Sequence, residues 1–354
     1  MEMTWIKPGR TTGMGSLPHE DGEVAMGLIA RNMPHWPHWP QLPRGGQDQG
    51  MTVQYVQPLI KLGMLKVPPR KDPVFTRDEP GWDDKVLRFY ELYLAFQEGD
   101  PEAEAFFALD EEAFPGIGLF LKDFSRRFPA AEGVKGHLTG PLTLGFQVKE
   151  ERGRAAYYDD VLQDLLIKCL TVQGILQTRL LQQTGLPVLL FLDDPSLFFL
   201  GSSIFITLTR EALIESLSAI YGPLREAGAK IGIHVCSEAD WSLLFAMNPD
   251  VISFDAFEYF QSMALQAPGL QQYLAGGGKM AWGIVPTSEK VEPLTTESLI
   301  TLFRQQCAEL ERRNVDVALL KNNVIWTPSC GTGAVPQPRS EKIYNLLGEF
   351  AASV

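Results

Sequence analysis

From residue 133 onward, short apolar segments alternate with longer segments in which apolar residues recur at helical spacing. The short segments end in polar, glycine or proline residues, as buried strands do. The longer segments have enough residues to cross back over a sheet and start another parallel strand. The sequence therefore predicts an α/β fold that is built on a parallel sheet.

The alternation yields seven candidate strands and three long candidate helices. The strands are residues 11–16, 133–139, 188–194, 230–236, 251–255, 279–285 and 324–329, and the helices are residues 157–183, 210–227 and 296–313. A (β/α)₈ TIM barrel needs an eighth strand, for which residues 53–67 are the candidate, and a doubly wound open sheet is the alternative. We favour the barrel because polar residues follow several different strands, where barrels build their sites.

The 354 residues are interpreted as a single domain, 1–354, with an insertion-rich region at residues 17–132. Barrels of roughly 250 residues accept such insertions. Helical spacing within this region occurs at residues 83–97 and 110–128. Residues 33–50 are rich in proline and tryptophan, which predicts an ordered loop. The histidines at 19, 35 and 38 could form a second metal site, but we favour a loop that packs over the barrel mouth.

The composition excludes several classes of protein. Hydrophobic residues make up 45% of the chain and charged residues 21%, so the chain can form a core and is not disordered. The net charge of -12 opposes binding to a phosphate backbone. The apolar runs fall far short of the ~20 residues that cross a bilayer, and the first residues have no signal-peptide pattern. We expect a cytoplasmic protein without nucleic-acid or membrane partners.

The segment KIGIHVCSEAD carries the clearest chemical signal. His234 and Cys236 are two residues apart on a predicted strand, so their side chains point to the same side. Imidazole and thiolate are ligands that Zn²⁺ prefers, and a catalytic site needs three or four protein donors. A buried histidine near a buried cysteine would give the same pattern without a metal, so the other candidate donors decide between the two interpretations.

Two more donors can be proposed from other strand ends. Cys330 follows the last candidate strand and precedes glycine residues, so a backbone turn would present its thiol, and it is the third candidate ligand. Asp255 ends the strand after His234 and is the favoured fourth ligand, with Glu258 as the alternative. The remaining cysteines, Cys169 and Cys307, lie in helical patterns and are interpreted as core residues.

Six motifs occur in an order that is typical of one protein family. They are TTGMGSLP at 11–18, HLTGPLTL at 137–144, FLDDPSL at 191–197, IHVC at 233–236, DVISFD at 250–255 and TPSCG at 327–331. From about residue 10 to residue 345 the chain resembles the C-terminal catalytic barrel of cobalamin-independent methionine synthase. That superfamily also contains uroporphyrinogen decarboxylase and corrinoid-linked methyltransferases.

The resemblance implies a zinc-dependent methyltransferase that acts on a thiol, with homocysteine as the acceptor and methionine as the product. The family's metal ligands fall on His234, Cys236, Asp255 and Cys330. The acidic ligand is typically glutamate, so Asp255 is a departure that shortens the reach by one methylene. A metal-bound thiol is deprotonated and therefore nucleophilic, which explains the need for zinc.

The resemblance also implies residues for the amino-acid end of the acceptor. Asp193 matches the family's partner for the amino group, and the loop Met14, Gly15 and Ser16 matches its carboxylate side. From the residues alone, the sequence after Asp193 could be only a helix-capping turn, and Gly15 and Ser16 only a tight strand exit. The turn HLTGP, with His137, is interpreted as mainly structural.

The methyl donor is where the chain departs from the family. Full-length members of the family carry a second, N-terminal barrel. They also have a histidine in a strand-end loop that follows the acidic ligand in the chain. At that place this chain has WGIVPTSEK, in which Ser288 is the nearest residue. We therefore favour a methyl-corrinoid or a corrinoid protein as the donor, with folate as the other candidate. The alternative functions are methylation of another thiol such as coenzyme M, a uroporphyrinogen-decarboxylase-like reaction, and a non-catalytic zinc- or corrinoid-binding accessory protein.

Overall fold

The computed structural model describes residues 5–199 and 209–354 of the chain. The strands are β1 (Leu65–Lys66), β2 (Val74–Phe75), β3 (Val134–Thr139), β4 (Lys149–Glu150), β5 (Val188–Asp193), β6 (Ala229–Val235), β7 (Val251–Phe254), β8 (Lys279–Val285) and β9 (Val324–Pro328). The α-helices are α1 (Gly22–Asn32), α2 (Gln57–Lys61), α3 (Trp82–Gln97), α4 (Pro101–Phe107), α5 (Pro115–Leu121), α6 (Phe124–Arg127), α7 (Pro141–Gln147), α8 (Asp160–Gln182), α9 (Arg210–Glu226), α10 (Trp241–Met247), α11 (Phe260–Ala264), α12 (Ala267–Ala275), α13 (Thr296–Arg312), α14 (Val317–Asn322) and α15 (Gln337–Ser353). The predicted mixed α/β class is confirmed.

The main sheet contains six parallel strands in the order β3-β5-β6-β7-β8-β9. Strands β3 and β5 to β9 confirm six of the seven predicted strands within one or two residues at each end. Their order in the sheet follows their order in the chain, whereas a doubly wound sheet reverses its order at a switch point. The alternative of a doubly wound open sheet is therefore wrong for this part of the chain.

Two short segments continue the parallel pairing beyond the sheet edges. Thr11 bridges to Trp326 of β9, Ser16 bridges to Gln41, and His38 bridges to Lys135 of β3. These are isolated bridges, so the prediction of a regular strand at 11–16 is wrong. Gly15, at a φ of 138°, has a backbone conformation that does not continue a strand. In residues 5–199 and 209–354 the main sheet thus has six regular parallel strands and two bridged segments at its edges, whereas a full barrel has eight regular strands.

The eighth strand predicted within residues 53–67 is also wrong. This stretch forms a short 3₁₀ helix, Val53–Val56, followed by α2. Pro58 lies in the first turn of α2, where its missing N–H costs nothing, while in a central strand it would remove a ladder hydrogen bond. Only β1 follows, and it pairs antiparallel with β2 in a separate sheet of β1, β2 and β4.

The long helices begin where a side chain caps their first turn. The capping residues are Asp159 for α8, Thr209 for α9 and Thr295 for α13, and each accepts a hydrogen bond from a first-turn N–H. These helices confirm the three predicted at 157–183, 210–227 and 296–313, and α3 confirms the spacing at 83–97. Residues 110–128 contain two shorter helices, because Asp123 takes a left-handed φ of 54° between α5 and α6. In the described ranges, every helix is too short or too polar to serve as a membrane span.

The main sheet is packed on both faces. On β5, Leu190 and Leu192 join the large apolar core formed with the helices, whereas the alternate residues Leu189 and Phe191 belong to a second apolar cluster. The members of this inner cluster are Ile6, Met14, Trp36, Leu189, Phe191, Val251, Ala281 and Ile325. The residues that face inward at the carboxyl ends of the strands therefore lie above this inner apolar cluster.

Asp194 joins the end of β5 to the turn after β3. Its fully buried carboxylate accepts hydrogen bonds from the Leu142 N–H at 3.0 Å, the Thr143 N–H at 2.9 Å and the Thr143 hydroxyl at 2.6 Å. In Asp194→Ala these donors lose their acceptor inside the protein, so we expect the free energy of unfolding to fall by about 3 kcal/mol. Urea unfolding followed by circular dichroism measures the change.

The matched control for this prediction is Asp83→Ala, which removes an exposed carboxylate from the first turn of α3. A surface change of this kind is expected to alter stability by only about 0.5 kcal/mol. Equal stability of the two variants would contradict the role given to Asp194.

Candidate metal centre and substrate cavity

His234, Cys236 and Cys330 meet at one end of the main sheet. One ligand atom of each residue lies within 4.8 Å of those of the other two. His234 is in β6 and Cys330 follows β9, and two strands separate β6 from β9 in the sheet. In a flat sheet the two strands would be ~14 Å apart, at ~4.8 Å for each neighbouring pair. The contact between their side chains is possible because the sheet curls.

The imidazole of His234 is oriented by the neighbouring strand. Its Nδ1 lies 2.9 Å from the hydroxyl oxygen of Ser253, the residue beside it in β7. Its Nε2 is buried and has no hydrogen-bond partner. When Nδ1 donates to Ser253, Nε2 carries a free lone pair, which is the form in which histidine binds a metal.

The two cysteines interact directly. A hydrogen bond from the Cys330 thiol lowers the pKa of Cys236 to about 4, and the same contact raises the pKa of Cys330 well above its usual value. For His234, burial lowers the pKa, but the adjacent Cys236 and Asp193 outweigh burial and raise the pKa overall. The site therefore stabilises a thiolate on Cys236 beside an imidazole.

These side chains fit a zinc ion. An imidazole and two sulfur atoms form a donor set that Zn²⁺ prefers, and three protein donors are the usual number in a catalytic site. The unpartnered Nε2 of His234 is the atom that a metal would satisfy. Of the four ligands predicted from the sequence, the structure brings three together.

The structure does not bring Asp255 into this group of ligand atoms. One carboxylate oxygen of Asp255 accepts the N–H groups of Phe257 and Glu258, both at 2.9 Å, and so caps the turn after β7. The alternative ligand, Glu258, instead forms an ion pair with Lys290 at 2.7 Å. An acidic fourth ligand stays a prediction.

A cavity of about 180 Å³ lies next to the three candidate ligands. Its wall includes residues that the sequence predicted for the site, namely Met14, Ser16, Asp193, His234, Cys236 and Cys330. It also includes residues that the sequence analysis did not assign to the site, among them Gln41, Met51, Tyr55 and His137. The predicted metal residues and the predicted substrate residues thus share one cavity.

Asp193 ends β5 with a carboxylate oxygen that has no partner. Its Oδ1 is buried and accepts no hydrogen bond from the described residues. Burial raises its pKa to about 6, against the opposing charge of Lys135. The Lys135 side chain is fully buried, and its Nζ donates to the carbonyl oxygen of Met14 at 2.7 Å. An unpaired acceptor and a fixed cation therefore lie near each other inside the sheet.

The loop at residues 13–16 is bound to the loop that carries Cys330. The Ser16 carbonyl accepts the Thr332 N–H at 2.9 Å, and the Ser16 hydroxyl accepts the Gly333 N–H at 3.2 Å. Gly15 packs against His137 so closely that a Cβ at Gly15 would lie 2.5 Å from the ring nitrogen Nδ1. Ser16 thus holds the last loop, and Gly15 allows the close contact with His137.

One residue of the 33–50 loop, Gln41, lines the cavity, and that the loop packs over the barrel mouth stays a prediction. His38 bridges to Lys135, and its Nε2 lies 3.0 Å from the Tyr344 hydroxyl. Trp39 stacks on His137 with ring centroids 3.9 Å apart. Trp36 and Trp39 are fully buried, which anchors this loop in the protein. In the described part of the chain, no metal-binding group includes His19, His35 or His38.

Comparisons with known proteins find a likeness among solved structures. No protein-family model and no curated protein matches the sequence. Among solved structures, a B12-independent methionine synthase from Shewanella sp. W3-18-1, in complex with selenomethionine, is 15% identical over 66% of each chain, with a TM-score of 0.44. The match covers slightly less than two thirds of that protein.

The ligand assignment predicts the zinc content of cysteine variants. Replacing Cys236 or Cys330 with serine should remove most of the bound zinc, because a serine hydroxyl stays protonated where a thiol becomes a thiolate ligand. Elemental analysis after zinc loading and desalting measures the content. Cys307→Ser, in α13 and away from the cavity, is the matched control and should keep its zinc. Full zinc content in both site variants would refute the assignment.

Proposed function

We propose that this protein is a zinc-dependent methyltransferase that methylates the thiol of homocysteine to give methionine. The observation that supports this proposal is the meeting of His234, Cys236 and Cys330 beside the unpaired Asp193 in one small cavity. We also propose that the six-stranded sheet and its two bridged segments form the (β/α)₈ barrel of a single domain. In this proposal the cavity lies at the carboxyl ends of the strands, where barrels bind substrates.

In this proposal His234, Cys236 and Cys330 would hold the zinc ion, and the acceptor would bind beside them in the cavity. Zinc bound there would deprotonate the acceptor thiol and keep its sulfur nucleophilic at neutral pH. Ser253 fixes the ring of His234, so this side chain would lose little rotational freedom when it binds zinc.

The residues around the three ligands suit the amino-acid part of homocysteine. The unpaired Oδ1 of Asp193 can accept a hydrogen bond from the ammonium group. Ser16 lines the same cavity and is proposed, with the backbone of the adjacent Gly15, for the carboxylate. The side chains of Met14 and Met51 line the wall, where they exclude water and contact the methylene groups. A volume of about 180 Å³ is below the ~300 Å³ of pockets for larger ligands, so it suits a small acceptor.

The donor that we favour is a methyl-corrinoid. The acceptor sulfur forms a bond to the methyl carbon while the bond from that carbon to cobalt breaks, cobalt keeps the electron pair, and the thiol proton passes to solvent. A folate donor leaves through a nitrogen that must be protonated. His137 is the other histidine that lines the cavity, and burial holds its pKa well below its usual value, so at neutral pH the ring is uncharged and has no acidic proton to give to the leaving nitrogen. A corrinoid avoids this need.

Other functions fit these contacts less well. A thiol without an amino group, such as coenzyme M, would leave the carboxylate of Asp193 unpaired. A uroporphyrinogen-decarboxylase-like reaction uses arginine residues, and the described residues that line the cavity include none. A non-catalytic zinc- or corrinoid-binding protein would hold the metal without transferring a methyl group.

The proposed activity predicts the outcome of a direct assay. Zinc-loaded protein with homocysteine and methylcobalamin should form methionine, and protein with methyltetrahydrofolate should form far less. Mass spectrometry of a single turnover, with protein in excess over the donor, measures the product. Turnover only with folate would defeat the preferred donor. Zinc binding without any methionine would favour the accessory protein.

A second prediction concerns Asp193. In Asp193→Asn we expect homocysteine affinity to fall by about tenfold or more, because the ammonium group loses a charged acceptor. The zinc content should not change, because Asp193 is outside the group of ligand atoms. Calorimetric titration and elemental analysis measure the two quantities. Asp84→Asn, on the surface of α3, is the control. Zinc loss in Asp193→Asn would make Asp193 a ligand.

A further inference from the structure

His137 is held firmly in the wall of the cavity. The backbone N–H of His137 donates to the side-chain oxygen of Gln177 at 3.0 Å. Its backbone carbonyl accepts from the side-chain nitrogen of Gln177 at 2.9 Å and from the Tyr55 hydroxyl at 2.6 Å. The ring stacks on Trp39 with centroids 3.9 Å apart. On another side, the backbone of Gly15 comes so close that no side chain would fit there. The imidazole therefore has little freedom to turn away.

Both ring nitrogens of His137 are buried and have no hydrogen-bond partner. The residue is 3% exposed and lines the cavity with the candidate metal ligands. A buried polar atom without a partner costs about 1–3 kcal/mol. A ligand bound in the cavity can supply the hydrogen-bond partner that the ring nitrogens lack.

The charges around His137 indicate the kind of group it can bind. Burial and the nearby charge of Lys135 hold its pKa well below the usual value, so the ring is neutral and one nitrogen is an N–H donor. The Lys135 ammonium lies below it on the same strand and favours an anion. Asp193 lies two residues further along the neighbouring strand, so its Cα atom is roughly 8 Å from the Cα atom of His137 for a rise of ~3.3 Å per residue and a strand spacing of ~4.8 Å.

We propose that His137 determines acceptor specificity by donating a hydrogen bond to the carboxylate of an α-amino acid whose ammonium group is bound by Asp193. Both residues line the same small cavity with polar atoms that lack partners, so one ligand with both charges on one carbon can contact the two residues together. This inference rests on the proposed function and adds to it the contact that distinguishes an amino-acid thiol from a simple aminothiol. His137 also lies beside Gly15 and Ser16, on the side of the cavity proposed for the carboxylate.

The test compares two ligands that differ only in the carboxylate. Methionine and 3-(methylthio)propylamine are titrated by calorimetry into zinc-loaded wild-type protein and into His137→Phe, which keeps the stacking on Trp39 but removes both nitrogens. We expect methionine to bind about tenfold or more weakly to the variant, and the amine to bind equally to both proteins. His137→Gln retains an N–H donor and should recover part of the loss.

His35→Phe is the matched control, because His35 is partly exposed and lies outside the cavity. It should bind both ligands as the wild type does. Thermal unfolding checks that each variant is folded, and His137→Met replaces His137→Phe if the larger ring is not accommodated. Equal weakening of both ligands, or of neither, would overturn the role of His137 and leave the proposed function intact. Failure of the wild type to bind methionine or homocysteine would overturn the acceptor and this inference together.

Discussion

The curvature of the parallel sheet is the constraint on which the site depends. It brings Cys330, after β9, against His234 and Cys236 although two strands lie between their own. The inner apolar cluster stabilises this curvature by filling the concave face. Gly232 is part of the same arrangement, because a Cβ there would lie 2.1 Å from the ring of Phe191. A larger residue at that position would force β5 and β6 apart below the candidate ligands.

Above the apolar layer, the cavity contains polar atoms that the fold leaves without partners. They are Nε2 of His234, Oδ1 of Asp193 and both ring nitrogens of His137. At about 1–3 kcal/mol each, they oppose folding by an amount comparable to a large part of the net stability of a domain. These atoms cluster in one cavity above the buried Lys135, and ligands that satisfy them would stabilise the folded chain.

The sequence predicted those parts of the structure whose signal is local. Apolar runs with polar ends located β3 and β5 to β9, and the spacing of His234 and Cys236 predicted that these two candidate ligands point to the same side at the end of β6. The pairing of residues 38–41 was not predicted, because it consists of isolated bridges, which leave no strand pattern in the sequence. His137 was missed for a similar reason, since the absence of hydrogen-bond partners depends on residues distant in the chain.

The contacts of Ser16 link the two halves of the site. Its carbonyl and hydroxyl hold Thr332 and Gly333, which directly follow the loop of Cys330. The loop proposed for the acceptor carboxylate and the loop of a candidate metal ligand therefore cannot move independently. Lys135 fixes the other end of the first loop through the Met14 carbonyl. A ligand that orders residues 14–16 would also order Cys330, so in the proposed enzyme acceptor binding and the position of a sulfur ligand are coupled through backbone hydrogen bonds.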